Sequence, residues 1–239
     1  MPLPKIDYPI FTIESPSAKK AFKFRPMLVK EEKILLMSKA SEDDSDIMLS
    51  VKQVVQNCCL EDNFDVDLIP IFDLEYFFLN LRANSVQDII ELKYIDNEDQ
   101  KEYDFKVDLK TVKINFPEKE DMNLKINDEL GMILKYPAVS IFSDKDFLKK
   151  TKTEESIIPI ITKCVDRIYD KEKNYVISKD FTEKELEDFL NNLGVTTLDK
   201  LGEFISNIPR LEHIIEYKNS LGNERKIYLR TLNDFFMLR

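Results

Sequence analysis

Three cysteines, one histidine and a scatter of aspartates are the residues of this sequence whose chemistry would be most specific. Cys58, Cys59 and Cys164 would suit a metal or a redox pair. A zinc site needs Cys or His pairs at ligand spacing, however, and His213 lies in a strand-like run far from all three. Each cysteine falls on the apolar side of a helical pattern, so buried free thiols without disulfides are expected. Asp62, Asp65 and Asp67 are spaced like calcium-loop ligands, yet no glycine holds the turn position and no glutamate the twelfth, which leaves a solvated loop. The four glycines form neither G-x-G-x-x-G nor G-x-x-x-x-G-K, and one histidine does not build a triad. The sequence therefore predicts no catalytic residue, no cofactor and no metal. What remains is an apolar cluster, Leu232, Phe235, Phe236, Met237 and Leu238, with only Asn233, Asp234 and Arg239 to solvate it. Such a segment either folds back beneath the preceding hairpin or keeps part of its face exposed for a partner.

The elements that position these residues follow from periodicity. Residues 8–27 alternate on both sides of a Ser-Pro-Ser-Ala break, which predicts a two-stranded ribbon with Ile10 facing Phe24. A helix over Lys30–Lys39 carries Ile34, Leu35 and Met37, and a second runs from Ile47 through Val51, Val54, Val55 and Cys58. Asp73 is placed to cap a third, in which Leu74, Phe77, Phe78 and Leu81 recur at helical spacing and are expected in the core. Ile90, Leu92 and Tyr94, then Phe105, Val107 and Leu109, alternate as the arms of a hairpin over Ile89–Val112. The phase slips by one residue near Lys110, which predicts a bulge or a bend. DELGMILKY reads as a short helix capped by Asn127 or Asp128, and Glu154–Tyr169 as a longer one. Thr182 and Glu185 form a capping box before Leu186, Phe189, Leu190 and Leu193, Gly194 closes that helix, and Thr197 opens the next. A second hairpin runs from Leu211, and TLNDFFML ends the chain as a short helix.

The two hairpins look like copies. Ile89, Ile90, Glu91 and Lys93 match Ile214, Ile215, Glu216 and Lys218, while Lys106, Leu109 and Thr111 match Lys226, Leu229 and Thr231. Upstream, Val54, Val55 and Cys58 share their spacing with Ile160, Ile161 and Cys164, and Phe78-Leu79-Asn80 matches Phe189-Leu190-Asn191. The fold class read from this is α+β: an N-terminal β-ribbon over 1–28, a helical and hairpin unit over 29–116, a connector over 117–152 and a second helical and hairpin unit over 153–239. The polar tips of the hairpins, held by packing alone, are expected to be mobile.

At 239 residues, 43% hydrophobic, with 16 Phe and 9 Tyr, the chain has enough apolar matter for two packed cores. A net charge of −10 without a basic block argues against nucleic acid, and no run of 18 apolar residues or basic-then-apolar leader suggests a membrane span or export. A cytoplasmic protein is expected.

Taken in order, FKFRPMLVKEEKILLM, IFDLEYFFLNLRANSVQDIIELKY, GMILKYP, CVDRIYD after an apolar helix, FTEKELEDFLNNL, IPRLEHIIEYKN and LNDFF resemble the T4-type bacteriophage baseplate hub assembly proteins of contractile tails. The resemblance spans nearly the whole chain and rests on structural motifs. It implies a late, non-enzymatic protein that assembles the central hub of the baseplate in the host cytoplasm, as a hub subunit or an assembly chaperone. It also implies hub, spike or tape-measure proteins as partners and the virion tail as a further location. No Cys-x-x-Cys stands at either hairpin tip, so zinc binding there is not implied. A reading from a different class is a cytosolic enzyme or nucleotide-binding regulator whose site is built from unremarkable residues.

Overall fold

In a computed structural model that describes residues 6–39, 44–118, 121–153, 157–177 and 179–236, the first alternating run folds as an antiparallel ribbon, β1 (Phe11–Glu14) and β2 (Ala21–Phe24). Phe24 faces Phe11, one residue on from the expected Ile10, which stays exposed. The turn sets this register, with Ser15 N–H donating to Lys20 O at 2.8 Å. Asp73 holds that turn: its carboxylate accepts from Ser17 N–H at 3.0 Å, from Ser17 Oγ at 2.6 Å and from Ser15 Oγ. It therefore does not cap its own helix, whose N-cap is Pro70.

The chain divides into two units, Met1–Asn115 with Arg210–Arg239, and Phe116–Pro209. In the first, the ribbon is followed by α1 (Val29–Lys39), α2 (Asp44–Cys58), α3 (Ile71–Ser85), the hairpin β3 (Ile89–Ile95) and β4 (Glu102–Asp108), and the short strand β5 (Lys113–Asn115). The phase slip near Lys110 is a single 3₁₀ turn, Leu109–Thr111, tied by Asp108 accepting from Lys110 N–H at 2.9 Å. It redirects the chain so that β5 leaves the hairpin and pairs with β10 (Arg210–Lys218), which pairs in turn with β11 (Glu224–Leu229). The core of this unit gathers the predicted stripe of α3, with Leu74, Phe77, Phe78 and Leu81 all buried, together with Val51, Val54 and Val55 of α2.

This pairing redraws the expected division of the chain. The second hairpin does not join the helices that precede it in sequence. Because Leu211 lies opposite Ile114 and is fully buried, β10 and β11 belong with the first unit. The hairpin likeness itself has a structural counterpart, since Glu91 opposes Lys106 at 3.3 Å and Glu216 opposes Lys226 at 2.5 Å.

The hairpin tips are clasped to each other rather than left to packing. Asp96, fully buried, accepts from the Tyr217 hydroxyl and from Arg225 Nε at 3.2 Å. Asp99 accepts from Ser220 N–H at 3.0 Å and Ser220 Oγ at 2.8 Å, and Glu98 accepts from Asn219 and Asn223 at 2.7 Å each. Tyr217 also meets Tyr103 and Phe105, with ring centroids 5.1 Å from each. The hydrogen bond from Tyr217 holds the Asp96 carboxyl below its usual pKa, so the clasp is intact above the carboxylate range and is lost as pH falls through it. Tyr217→Phe is expected to speed amide exchange at Glu98, Asp99 and Ser220 by about tenfold or more, as local opening becomes easier, while the rest of the hairpins keeps its protection. Unchanged exchange at those amides would show that the clasp holds nothing.

The second unit contains β6 (Asn123–Lys125), β7 (Gly131–Leu134), α4 (Lys145–Thr153), α5 (Ile158–Cys164), β8 (Val165–Tyr169), β9 (Asn174–Val176), α6 (Glu183–Asn191) and α7 (Val195–Ser206). Its sheet is antiparallel in the order β6-β7-β8-β9. Two expected helices give way to strands here. Asn127 Oδ1 accepts from Glu129 and Leu130 N–H at 2.8 Å each, which closes a turn instead of opening a helix, and Gly131 then starts β7. A Cβ there would lie 2.4 Å from Tyr169 Cζ, so any other residue would have to displace the Tyr169 ring. Of the helix expected over Glu154–Tyr169, α5 stops at Cys164, whose carbonyl accepts from Lys135 N–H at 2.7 Å, and Val165–Tyr169 continues as a strand beside β7; Glu154–Ser156 lie outside the described residues. The capping box forms as read, with Thr182 N–H donating to Glu185 at 2.8 Å, whereas α7 begins two residues before Thr197, with Gly194 as its N-cap. Leu186 and Leu190 are buried with Met132, Leu134, Ile161 and Val165, while Phe189 and Leu193 pack half-buried against them.

Candidate functional site

The C-terminal cluster is built on α8 (Leu232–Phe236), which starts three residues after β11. Asp234 makes the entry turn rigid: its Oδ2 accepts from Arg230 N–H at 2.7 Å and Thr231 N–H at 2.8 Å, while its own N–H donates to Thr231 Oγ1 at 3.3 Å. Residues three apart share a helix face, so this turn sends both Leu232 and Phe235 inward, where they are 5% and 1% exposed. Leu232 borders a groove of about 190 Å³ with Leu35 and Leu36 of α1, Ile47 and Val51 of α2 and Phe78 of α3. Two of the five predicted site residues are thus anchors within the first unit. The Phe236 side chain, Met237 and Leu238 lie outside the described residues.

Beside the groove the sequence reading missed two features. Met37, assigned to the apolar face of α1, is 77% exposed. Glu75, on α3, is half-buried, and its carboxyl makes no hydrogen bond or ion pair among the described residues. Burial, with Asp234 nearby, pushes that carboxyl up to about 8. The folded state then holds a proton that the unfolded chain releases near pH 4.5, so the stabilisation is complete below that value and is lost as pH rises through about 8. Glu75→Gln is expected to stabilise the protein by up to about 4 kcal/mol at pH 8.5 and to leave it unchanged at pH 4. Melting curves across that range check it; parallel wild-type and variant profiles would show that Glu75 is solvated.

The residues with catalytic chemistry are occupied elsewhere. Cys58 and Cys164 are buried, and burial pushes their thiols up to about 11 and about 12, which keeps them protonated and poorly nucleophilic. Cys59 is half-buried. His213 stands in β10 opposite Leu229, where burial lowers its pKa. Asp65 accepts from Asp67 N–H at 2.9 Å, and Asp67 pairs with Lys52 at 2.6 Å. Among the described residues no group of three or more His, Cys, Asp or Glu is placed to hold a metal ion, and no helix is long and apolar enough to cross a membrane.

A mixed helix-and-sheet protein with a largely apolar groove is suited to contact with other chains. Residues 8–237 match the family described as T4 bacteriophage base plate protein, and the chain belongs to that family. Its role is accordingly structural or in assembly, in the phage tail baseplate, among other baseplate proteins. Comparison with curated proteins and with solved structures gives no match.

Proposed function

We propose that the chain is a non-enzymatic assembly protein of the baseplate's central hub, either a hub subunit or a chaperone that holds hub components until they associate. The observation that carries this is the extent of the family match, which takes in both units and the C-terminal helix. The protein acts in the host cytoplasm during tail assembly, and as a hub subunit it also ends in the virion. Its partners are hub, spike or tape-measure proteins. The contact runs through the C-terminal segment, with Leu232 and Phe235 anchoring it from within and Phe236, Met237 and Leu238 meeting the partner.

Mass spectrometry of purified virions separates the two roles: a subunit is found at fixed stoichiometry, and a chaperone is absent although assembly requires it. Removing Met237–Arg239 leaves both buried anchors in place, so the truncated protein should fold and yet fail to enter hub complexes. If the wild-type protein recovered from infected cells carries no hub, spike or tape-measure protein, the hub reading falls.

A further inference from the structure

Helix α1 buries two polar side chains and exposes three large apolar ones. At about 100° per residue, Glu31 and Ser38 lie on one side and are 0% and 7% exposed, while Val29, Leu36 and Met37 lie on the other and are 73%, 62% and 77% exposed. The inward polar residues are satisfied: Glu31 pairs with Arg25 at 2.9 Å and accepts from Leu28 N–H at 2.9 Å, and Ser38 Oγ donates to Leu35 O at 3.0 Å. The orientation of the helix is therefore fixed from within by these bonds together with the half-buried Ile34 and Leu35, so Val29, Leu36 and Met37 face water. An exposed apolar stripe on a helix so anchored marks a contact surface. It is continuous with the groove at α8, since Leu36 lines both.

Charge selects the occupant. In a chain of net charge −10, the two exposed charged side chains on this face are both basic, and the half-buried Glu32 lies at its edge, beside Leu36 in the groove. Lys33 lies between Val29 and Leu36 and makes no ion pair among the described residues, and Lys30, 66% exposed beside the stripe, lies 3.6 Å from the Glu31 carboxylate. We infer that the outward face of α1, through Val29, Leu36 and Met37 flanked by Lys30 and Lys33, docks an amphipathic helix of another baseplate protein that carries acidic residues beside its apolar stripe. With 11 residues, α1 offers three turns, which matches anchors at i, i+3 or i+4, and i+7 on the partner. This rests on the hub-assembly reading and adds a second contact, on α1, next to the C-terminal segment.

The test uses the full chain in infected cells, with a photo-crosslinking amino acid at Met37 and, as control, at Leu68, which is 76% exposed. The expected crosslink joins position 37 to a helical segment of another baseplate protein with apolar spacing and acidic flanks. Leu36→Glu with Met37→Glu should leave the melting temperature unchanged and cut recovery in baseplate complexes at least about tenfold, through lost apolar burial and new repulsion. Lys33→Glu alone should weaken recovery about threefold, and more so at low salt. A crosslink to a second copy of this chain, to a segment without acidic flanks, or no stronger than at position 68 overturns the inference. So does normal assembly of the double variant. In each of those cases the hub reading survives if the wild-type protein still assembles; if the wild type joins no baseplate protein, both fall.

Discussion

Phe77→Ala should destabilise the first unit by about 3–5 kcal/mol, enough to unfold a domain of ordinary stability. Phe77 is fully buried in α3, and its ring stands 5.4 Å from Phe24, 5.7 Å from Phe22 and 6.0 Å from Phe64. These partners come from the ribbon and from the loop after α2, so truncation opens a cavity where three separate segments meet. The aromatic contacts add to the transfer loss, at about 0.5–1.5 kcal/mol for each pair of suitable geometry. Little can collapse into the gap, because the ribbon is held at its turn by Asp73 and the loop at Phe64 by Gln56, which donates to Phe64 O at 2.9 Å. Calorimetry should show one transition falling by roughly 10 °C, with transitions belonging to residues 116–209 unmoved if the units melt independently. A Phe77→Ala protein that melts like the wild type would mean that the stripe is not the core. Phe78→Ala, at 4% exposure, should cost a comparable amount.

That stripe was readable because a three- and four-residue spacing of large apolar side chains has one economical solution. The hairpins were readable for the equivalent reason at period two. DELGMILKY was not, since Leu130, Ile133 and Leu134 fit a helix as well as a strand, and the deciding interaction is the side chain of Asn127 folding back on the next backbone amides. Cys164, Val165 and Ile168 carry the same ambiguity, resolved only by β7 lying alongside. Pairings distant in sequence left no local trace. Asn115 donates to Glu212, 97 residues on, and Tyr217 to Asp96, 121 residues back, so neither the grouping of the second hairpin with the first unit nor the clasp could be read from periodicity. The candidate site divides in the same way. Leu232 and Phe235 were picked out by composition, but the orientation of α1 depends in part on one buried ion pair, and apolar residues on both sides of a helix do not say which side is in.

Arg25→Ala tests that ion pair and should cost about 3–5 kcal/mol, because it leaves the Glu31 carboxylate buried with its main partner gone. The guanidinium is bidentate on Glu31, at 2.9 and 3.3 Å, and also donates to Pro26 O and Asn57 O at 2.9 Å each, so it ties β2, α1 and the end of α2 together. Burial by itself would raise the Glu31 pKa, but the hydrogen bonds from Arg25 and from Leu28 N–H more than reverse it and leave it lowered. In the wild type this contribution is present above the unfolded value of 4.5 and is lost as pH falls below it. Without Arg25 the sign inverts: the buried carboxyl prefers its proton, and the deficit of the variant should shrink as pH drops toward 4.5. Replacing both residues by apolar ones, Arg25→Met with Glu31→Leu, should recover much of the loss, since no charge is then left unpaired. That double variant also bears on the orientation of α1. With a leucine at position 31 beside the half-buried Ile34 and Leu35, and with Ser38 still bonded to Leu35 O, the inward side loses its charge but not its place, so a photo-crosslinker at position 37 should keep its partner while the protein melts near the wild-type temperature. An Arg25→Ala protein as stable as the wild type at neutral pH would mean that the pair does not fix the helix.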